Sequence, residues 1–390
     1  MSEKVYKYLK NKQVTAPPGL AEKWSDLEND YTKRLWHPLT LKLQEFIKEK
    51  SVEANHGLIE LYDNFIQEIE LRINSLSLME LCTKVAAQYD KPEDALKFLD
   101  RCEDRVRTSP VAFALHKITK GTIKLEKQHD VAGTKVILEE LEEMFRQFDG
   151  ISPVHGRFYC LQSKFYWGEN NLVEYYKSAL KFLGCPGTCP SDLTHEEQMK
   201  HAINLAIAAL LADGIYNFGE LLAHPVLLSL KRTKYEWLVG LMEAFNSGNV
   251  TEFEHLKSRW GQEEKLAKNE FKLRTKVILL AIMEMTFKRV ATERQFTFKD
   301  VAEAAKLPEE QVEMYVMKAI SKGLINGTID QEAQKIYMKW VQPRVLDTSQ
   351  IGTLMSRLDK WRKDLRKAET MMEAEAKIVE SDFSLVSFNS

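Results

Sequence analysis

One stretch of this 390-residue chain gathers four nitrogen and sulfur donors: Cys185, Cys189, His195 and His201, separated by three, five and five residues. Cysteine thiolates and imidazoles are the ligands that zinc prefers, so the cluster has to be weighed as a metal site. Its spacing argues against one. His195 and His201 are six positions apart, about 600° around a helix, so they point away from each other by roughly 120°. The interval between the second cysteine and the first histidine is short for a closed site. Cys185-Pro186-Gly187-Thr188-Cys189-Pro190 reads instead as a loop between two helices. No metal is expected.

Other chemistry has still less support. No G-x-x-x-x-G-K-[ST] phosphate loop, G-x-G-x-x-G dinucleotide loop or G-x-S-x-G nucleophile elbow occurs. His195-Glu196 opens like a zinc-protease motif, but Met199 stands where the second histidine would have to be. No two histidines flank a single residue, which removes the H-x-H core of metal-dependent isopeptidases. Cys82, Cys102 and Cys160 lie within helical apolar stripes and read as small core residues. His116 and His224 have no carboxylate or cysteine spaced for a relay. We expect no catalytic residue, no cofactor and no enzyme.

The balance of 55 Lys+Arg against 57 Asp+Glu supplies no bulk attraction for nucleic acid or an anionic membrane. Lys4, Lys7, Lys10 and Lys12 are followed by no apolar h-region, so a secretory signal is not expected. The longest uncharged apolar run, Ala202–Ala212, is too short to span a bilayer and predicts a buried core helix. Five scattered cysteines suit a reducing compartment. Scarce Gly (17) and Pro (11) argue against a turn-rich β fold. The expectation is a soluble intracellular protein of two or three domains.

The elements follow from periodicity. After an N-terminal helical region over 1–57, residues 58–284 carry the helical period: Leu58, Leu61, Tyr62, Phe65, Ile69 and Ile73 fall on one face. Val136, Ile137, Leu141, Met144 and Phe145 repeat the pattern, as do Val277, Leu280, Ala281 and Phe287. Turns marked by Asp90, Asp130, Asn170, Asp213 and Asn249 recur at intervals of 40, 40, 43 and 36 residues. Ala95–Leu99 and Ala179–Leu183 are nearly the same word, ALKFL, each following such a turn. A period near 40 predicts an α-solenoid of TPR-like helical hairpins, each burying its face against the next.

Over 285–346 the pattern changes to a winged helix. Thr297 and Asp300 form a capping-box-like start to a short helix, Phe298–Ala305. Pro308 opens a longer helix, Glu309–Lys322, and Gly323 suits its C-cap. Two strand-like runs, Leu324–Ile329 and Lys335–Val341, complete a hairpin in which Ile336, Met338 and Trp340 alternate with polar residues. Winged helices often read DNA, but this second helix begins Glu309-Glu310-Gln311-Val312-Glu313, and Lys318 and Lys322 arrive late; carboxylates would face phosphates. In the tail, 347–390, Ile351, Leu354, Leu358, Trp361, Leu365, Ala368 and Met372 step alternately by three and four, the seam of a coiled coil, until Glu375 interrupts it. With little chain left to cover it, a helix from another chain is the expected partner.

Solenoid, winged helix and terminal helix together are the layout of the PCI proteins. The local words strengthen the resemblance: Ile215–Pro225, Ala244–Val250, Val316–Ile320, Gly327–Gln331 and Trp340–Leu346 resemble the PCI subunits of the proteasome regulatory-particle lid. The likeness runs from about Leu58 to Leu365 and is tightest beyond Gly214. The N-terminal fifty residues and the tail beyond Met372 resemble that family only weakly. It implies a non-catalytic scaffold supporting ATP-dependent degradation of ubiquitinated proteins in cytoplasm and nucleus. Other lid subunits, of the PCI and metal-site isopeptidase types, would be its partners, with no nucleic acid and no membrane. By position, Leu324, Ile325, Ile329, Ile336, Met338 and Trp340 would supply an intersubunit sheet, and Ile351, Leu354, Leu358, Trp361 and Leu365 would enter a helical bundle. Isopeptide cleavage and ATP hydrolysis would belong to other subunits. A PCI scaffold of the COP9 signalosome or a translation initiation complex, or a nucleic-acid-binding winged helix, are the alternatives.

Overall fold

The computed structural model describes residues 3–15, 18–47, 57–185, 195–289, 293–345 and 348–387. The chain packs as two compact units that divide between Gln198 and Met199.

The first unit is helical throughout. Helices α1 (Glu3–Thr15), α2 (Pro18–Thr32) and α3 (Trp36–Phe46) precede a helical run over residues 57–72 that includes one π turn, Tyr62–Ile66. The expected stripe from Leu58 to Ile73 is buried at each of its six apolar positions. Three hairpins follow: α4 (Ser75–Ala87) with α5 (Pro92–Val106), α6 (Pro110–Ile123) with α7 (Val131–Arg146), and α8 (Val154–Gly168) with α9 (Leu172–Gly184). The first helices of successive hairpins pack on one another, which is the solenoid arrangement.

Local chemistry explains why the turns fall where the sequence placed them. His129 and Asn170 take left-handed backbone conformations that end one helix, and Asp130 and Asn171 then cap the next, accepting from the N–H groups of Gly133 and Glu174. Pro92 and Pro110 sit at helix starts, where a missing N–H costs nothing. The repeated word places Ala95 and Phe98 in α5, and Ala179 and Phe182 in α9, on buried faces. Val136 is the exception to its expected stripe and lies exposed beside buried Ile137.

In the second unit the buried stretch of α10 (His195–Leu211) leads through short turns to α11 (Glu236–Ser247) and α12 (Glu270–Lys288). Helix α12 is the surprise. Its expected stripe predicts one covered face, yet every position from Thr275 to Glu284 is buried. It is a central helix, enclosed by α11, the winged helix and its sheet. Gly248, with φ +65°, ends α11 against it: an added Cβ would lie 2.6 Å from the Ala281 Cα, a contact only glycine tolerates.

The winged helix comprises β1 (Gln295–Thr297), α13 (Phe298–Ala305), α14 (Glu309–Ser321), β2 (Ile325–Asp330) and β3 (Lys335–Val341). The Thr297–Asp300 capping box forms in both directions, and Gly323 takes the positive φ expected of it. The sheet, however, has three strands rather than two, in the order β1-β3-β2, all antiparallel. The last helix, α15 (Thr348–Ser387), runs for 40 residues.

Truncating Phe98, fully buried in the solenoid, should cost about 3–5 kcal/mol by leaving a cavity among packed helices. Urea denaturation of Phe98→Ala, followed by a probe confined to the first unit, checks this.

Candidate functional site

The residues singled out from sequence fall into a sheet set and a seam set, and the structure treats them differently. In the sheet, Leu324, Ile325, Ile336 and Met338 are buried in the winged helix's own core. Their side chains are spent within the domain: the sheet has one apolar face, and its own helices already cover it. Strand β3 is also not a free margin, since β1 pairs with one side of it and β2 with the other. The sheet's outer edges belong to β1 and β2, and the longer is that of β2, over Ile325–Asp330, with Ile329 half-buried.

Trp340 departs from the alternation. The register jumps between Asn326 opposite Trp340 and Gly327 opposite Met338, so Lys339 has no opposite number. This bulge re-aims the strand, and Trp340 ends up exposed rather than beside Ile336 and Met338.

A short strap leads from the sheet to α15, and the sequence words that carry the family resemblance converge on it. The Arg344 guanidinium donates to the backbone carbonyl of Asn246 and forms an ion pair with Glu284 of α12; these two charged side chains are only 7 % and 8 % exposed. The Val345 N–H donates to Asn217 Oδ1. Gly219 lets the strap approach, because a Cβ there would stand 2.7 Å from the Val345 carbonyl oxygen. Residues 217–219, 246–248 and 344–345 thus form one junction.

At the other end of α12, the Lys276 ammonium donates to the carbonyls of Ala209, Leu210 and Ala212 at 2.7, 3.2 and 2.9 Å. These are orphan carbonyls at the C-terminal end of α10, where a cation also complements the helix dipole. The ammonium lies over the rings of Tyr216 and Phe218. Burial pushes Lys276 down to about 7 from 10.5; Asp213 pulls it back up and Lys322 adds to the depression.

On α15 the seam is bare. Ile351, Leu354, Leu358, Trp361 and Leu365 are between 46 % and 63 % exposed, and Met372 is exposed beyond them. The start of the helix is attached: Arg357 donates to the Lys288 carbonyl, and Ile351 lines a groove with Gly219, Leu222 and Val345. Of the cysteine–histidine cluster, Cys185 terminates α9, His195 is exposed at the start of α10 and His201 is half-buried within it, while Cys189 lies outside the described residues. Among the described residues no three His, Cys, Asp or Glu side chains stand together as a metal-ligand set.

A helical-repeat region, a winged helix strapped onto a central helix, and a long terminal helix define a PCI protein, and residues 246–340 match the PCI domain family. Residues 23–242 match the family of PSD13 N-terminal repeats. Relatives extend over nearly the whole chain. It is 36 % identical to 26S proteasome non-ATPase regulatory subunit 13 homolog A of Arabidopsis thaliana, covering 92 % of this chain and 95 % of that one. Homolog B of the same plant is 35 % identical, with coverage of 93 % and 96 %. The Dictyostelium discoideum 26S proteasome non-ATPase regulatory subunit 13 is 31 % identical, covering 94 % of each. The chain belongs to the family of 26S proteasome non-ATPase regulatory subunit 13.

Two substitutions test the junction. Arg344→Met leaves the buried Glu284 carboxylate only the exposed Lys288 ammonium, 3.7 Å away, and should destabilise the second unit by about 3–5 kcal/mol in chemical denaturation. For Lys276, the folded value lies below the unfolded one, so between about 7 and 10.5 the unfolded chain binds more protons and stability rises with pH. Lys276→Met should cost about 1–3 kcal/mol through its unsatisfied carbonyls. It should also lose this rise, so the wild-type-minus-variant difference grows by on the order of 1–2 kcal/mol from pH 7 to pH 9 in thermal melts.

Proposed function

We propose that this chain is a non-catalytic structural subunit of the proteasome regulatory-particle lid, supporting degradation of ubiquitinated proteins by holding neighbouring lid subunits together in cytoplasm and nucleus. The observation that carries the proposal is the bare heptad seam of α15 in a member of this family. Five large apolar side chains, each worth about 1.5–3 kcal/mol on full burial, are left in water on one stripe of a helix. Such a stripe is completed by other helices that present a matching seam. The open edge of β2 offers a second contact of a different kind, main chain to main chain.

Family membership over nearly the full length favours the lid over the COP9 signalosome or a translation initiation complex. The three carboxylates at the start of α14 weigh against a nucleic-acid reader, because a groove-reading helix brings that end to the phosphates. No nucleotide, nucleophile or metal motif supports an activity of the chain's own, so cleavage and ATP hydrolysis are assigned to other subunits.

Charging the seam tests the reading. Leu358→Asp with Trp361→Asp removes about 3–6 kcal/mol of burial from the bundle, weakening incorporation by roughly 10²-fold or more. On native gels the variant should fall out of the lid while the isolated chain keeps its helical circular dichroism. Unchanged co-migration with the lid would refute the assignment of the seam.

A further inference from the structure

The late lysines of α14, which give a nucleic-acid reading little help, meet at a different feature. The end of α10, α12 and α14 enclose a cavity of about 100 Å³ lined by Asp213, Lys272, Thr275, Lys276, Lys318 and Lys322, with an apolar wall that includes Tyr216 and Leu279. Four lysines from two helices converge on it, against the single carboxylate of Asp213. The ammonium groups of Lys276 and Lys322 lie over the same Tyr216 ring, at 5.6 and 5.8 Å from its centroid. No carboxylate pairs with Lys272, Lys318 or Lys322 among the described residues.

Like charges gathered around a partly apolar cavity repel one another, and Lys272 and Lys322 offset this by keeping contact with solvent. Lys276 has its reason in the carbonyls of α10, and its three donors are spent on them, so it contributes charge to the cavity and no hydrogen bond. Lys318 and Lys322 stand near the end of α14, where cations are mildly favoured; that does not account for Lys272 on α12 joining them. Thr275 supplies an independent observation. Its side chain is more than nine-tenths buried in the cavity wall, and its hydroxyl, out of reach of solvent, has no hydrogen-bond partner among the described residues. A buried hydroxyl without a partner costs free energy, which a turn of the side chain about χ1 toward a ligand oxygen in the cavity would recover.

We propose that this cavity binds one compact oxyanion of the phosphate type, held by the Lys272, Lys318 and Lys322 ammonium groups and the Thr275 hydroxyl. Charge sets the class: the cationic surplus over Asp213 exceeds one, which suits a dianion better than a lone carboxylate. Size sets the scale, since the cavity has room for a phosphate group and a few waters. The group comes either as free inorganic phosphate or on a phosphorylated side chain of a neighbouring polypeptide. The site is independent of the α15 seam and of the β2 edge.

The test is titration of the full chain at constant ionic strength, followed calorimetrically, with inorganic phosphate in one arm and the peptide acetyl-Gly-phosphoSer-Gly-amide in the other, and chloride as the reference anion. One saturable site is expected. Lys318→Gln with Lys322→Gln should weaken it tenfold or more and Thr275→Val severalfold, while Lys360→Gln with Lys363→Gln on α15 leaves it unchanged. Circular dichroism and melting confirm that each variant is folded. Tighter binding of the peptide assigns the source to a phosphorylated neighbour, and equal or weaker binding assigns it to the free anion; both support the site. Absence of saturable binding, or binding indifferent to Lys318 and Lys322, overturns it. So does tighter binding of a 16-base-pair duplex DNA with the same lysine dependence, which would make this face a nucleic-acid surface.

Discussion

A helical stretch withdrawn from water on every side can carry a charge only where some other element comes to meet it, and the buried stretch of α12, Thr275–Glu284, carries two. Lys276 and Glu284 are eight residues apart, roughly 12 Å along the helix axis. One is answered by the carbonyls ending α10 and the other by the guanidinium of the strap. Burying an ammonium or a carboxylate is costly unless hydrogen bonds and opposite charge replace the water, so these partners are obligatory. The second unit is therefore registered at two points along one rod. The end of the helical layer is fixed at the first and the exit from the winged helix at the second. Apolar burial alone would tolerate slippage of these elements; two buried charges do not.

That constraint also explains why the local words resembling a PCI subunit cluster as they do. Asn217, Gly219 and Arg344 are distant in sequence and have no common periodicity. They are joined by the strap, which needs a side-chain acceptor for one N–H, a position without a Cβ and a cation for the Glu284 carboxylate. A residue demanded by close backbone approach is difficult to replace, whereas a core leucine can be exchanged with repacking.

Much of the architecture was legible because its signals are local. Helix ends at Asn170-Asn171 and His129-Asp130 combine a left-handed residue with a side-chain cap, and both act within a few positions of chain. The capping box at Thr297 and the positive φ at Gly323 are of the same kind. What could not be read is non-local. Strand β1 is three residues long and exists only through its pairing with β3, some 40 positions away. Trp340 follows the alternation of a regular strand until a bulge, set by the partner strand, turns it outward. Helix α12 shows an amphipathic stripe, yet the elements that cover its other faces come from both sides of it in the chain. No local signal marks Lys276 among the cations around it, and only tertiary structure separates it from its neighbours.

On the proposed reading, the two sets of candidate residues divide the work of an assembly subunit between them. Side chains on the sheet's apolar face are consumed by the winged helix's own fold, and the longer strip of main-chain donors and acceptors at its edges runs along β2. Main-chain pairing fixes spacing and direction, but it discriminates little among partners, because every chain carries the same groups. Discrimination then has to come from side chains, and the α15 seam has them: its indole and branched residues demand a matching set of holes. An exposed edge strand beside an exposed apolar stripe would invite promiscuous association if both faced solvent indefinitely. A short, polar β2 strand bearing Asn326, Thr328 and Asp330 limits that hazard at the edge, so selectivity rests on the helix. On the proposed reading, the order of assembly follows from this asymmetry: the seam selects the neighbour, and the edge aligns it once selected.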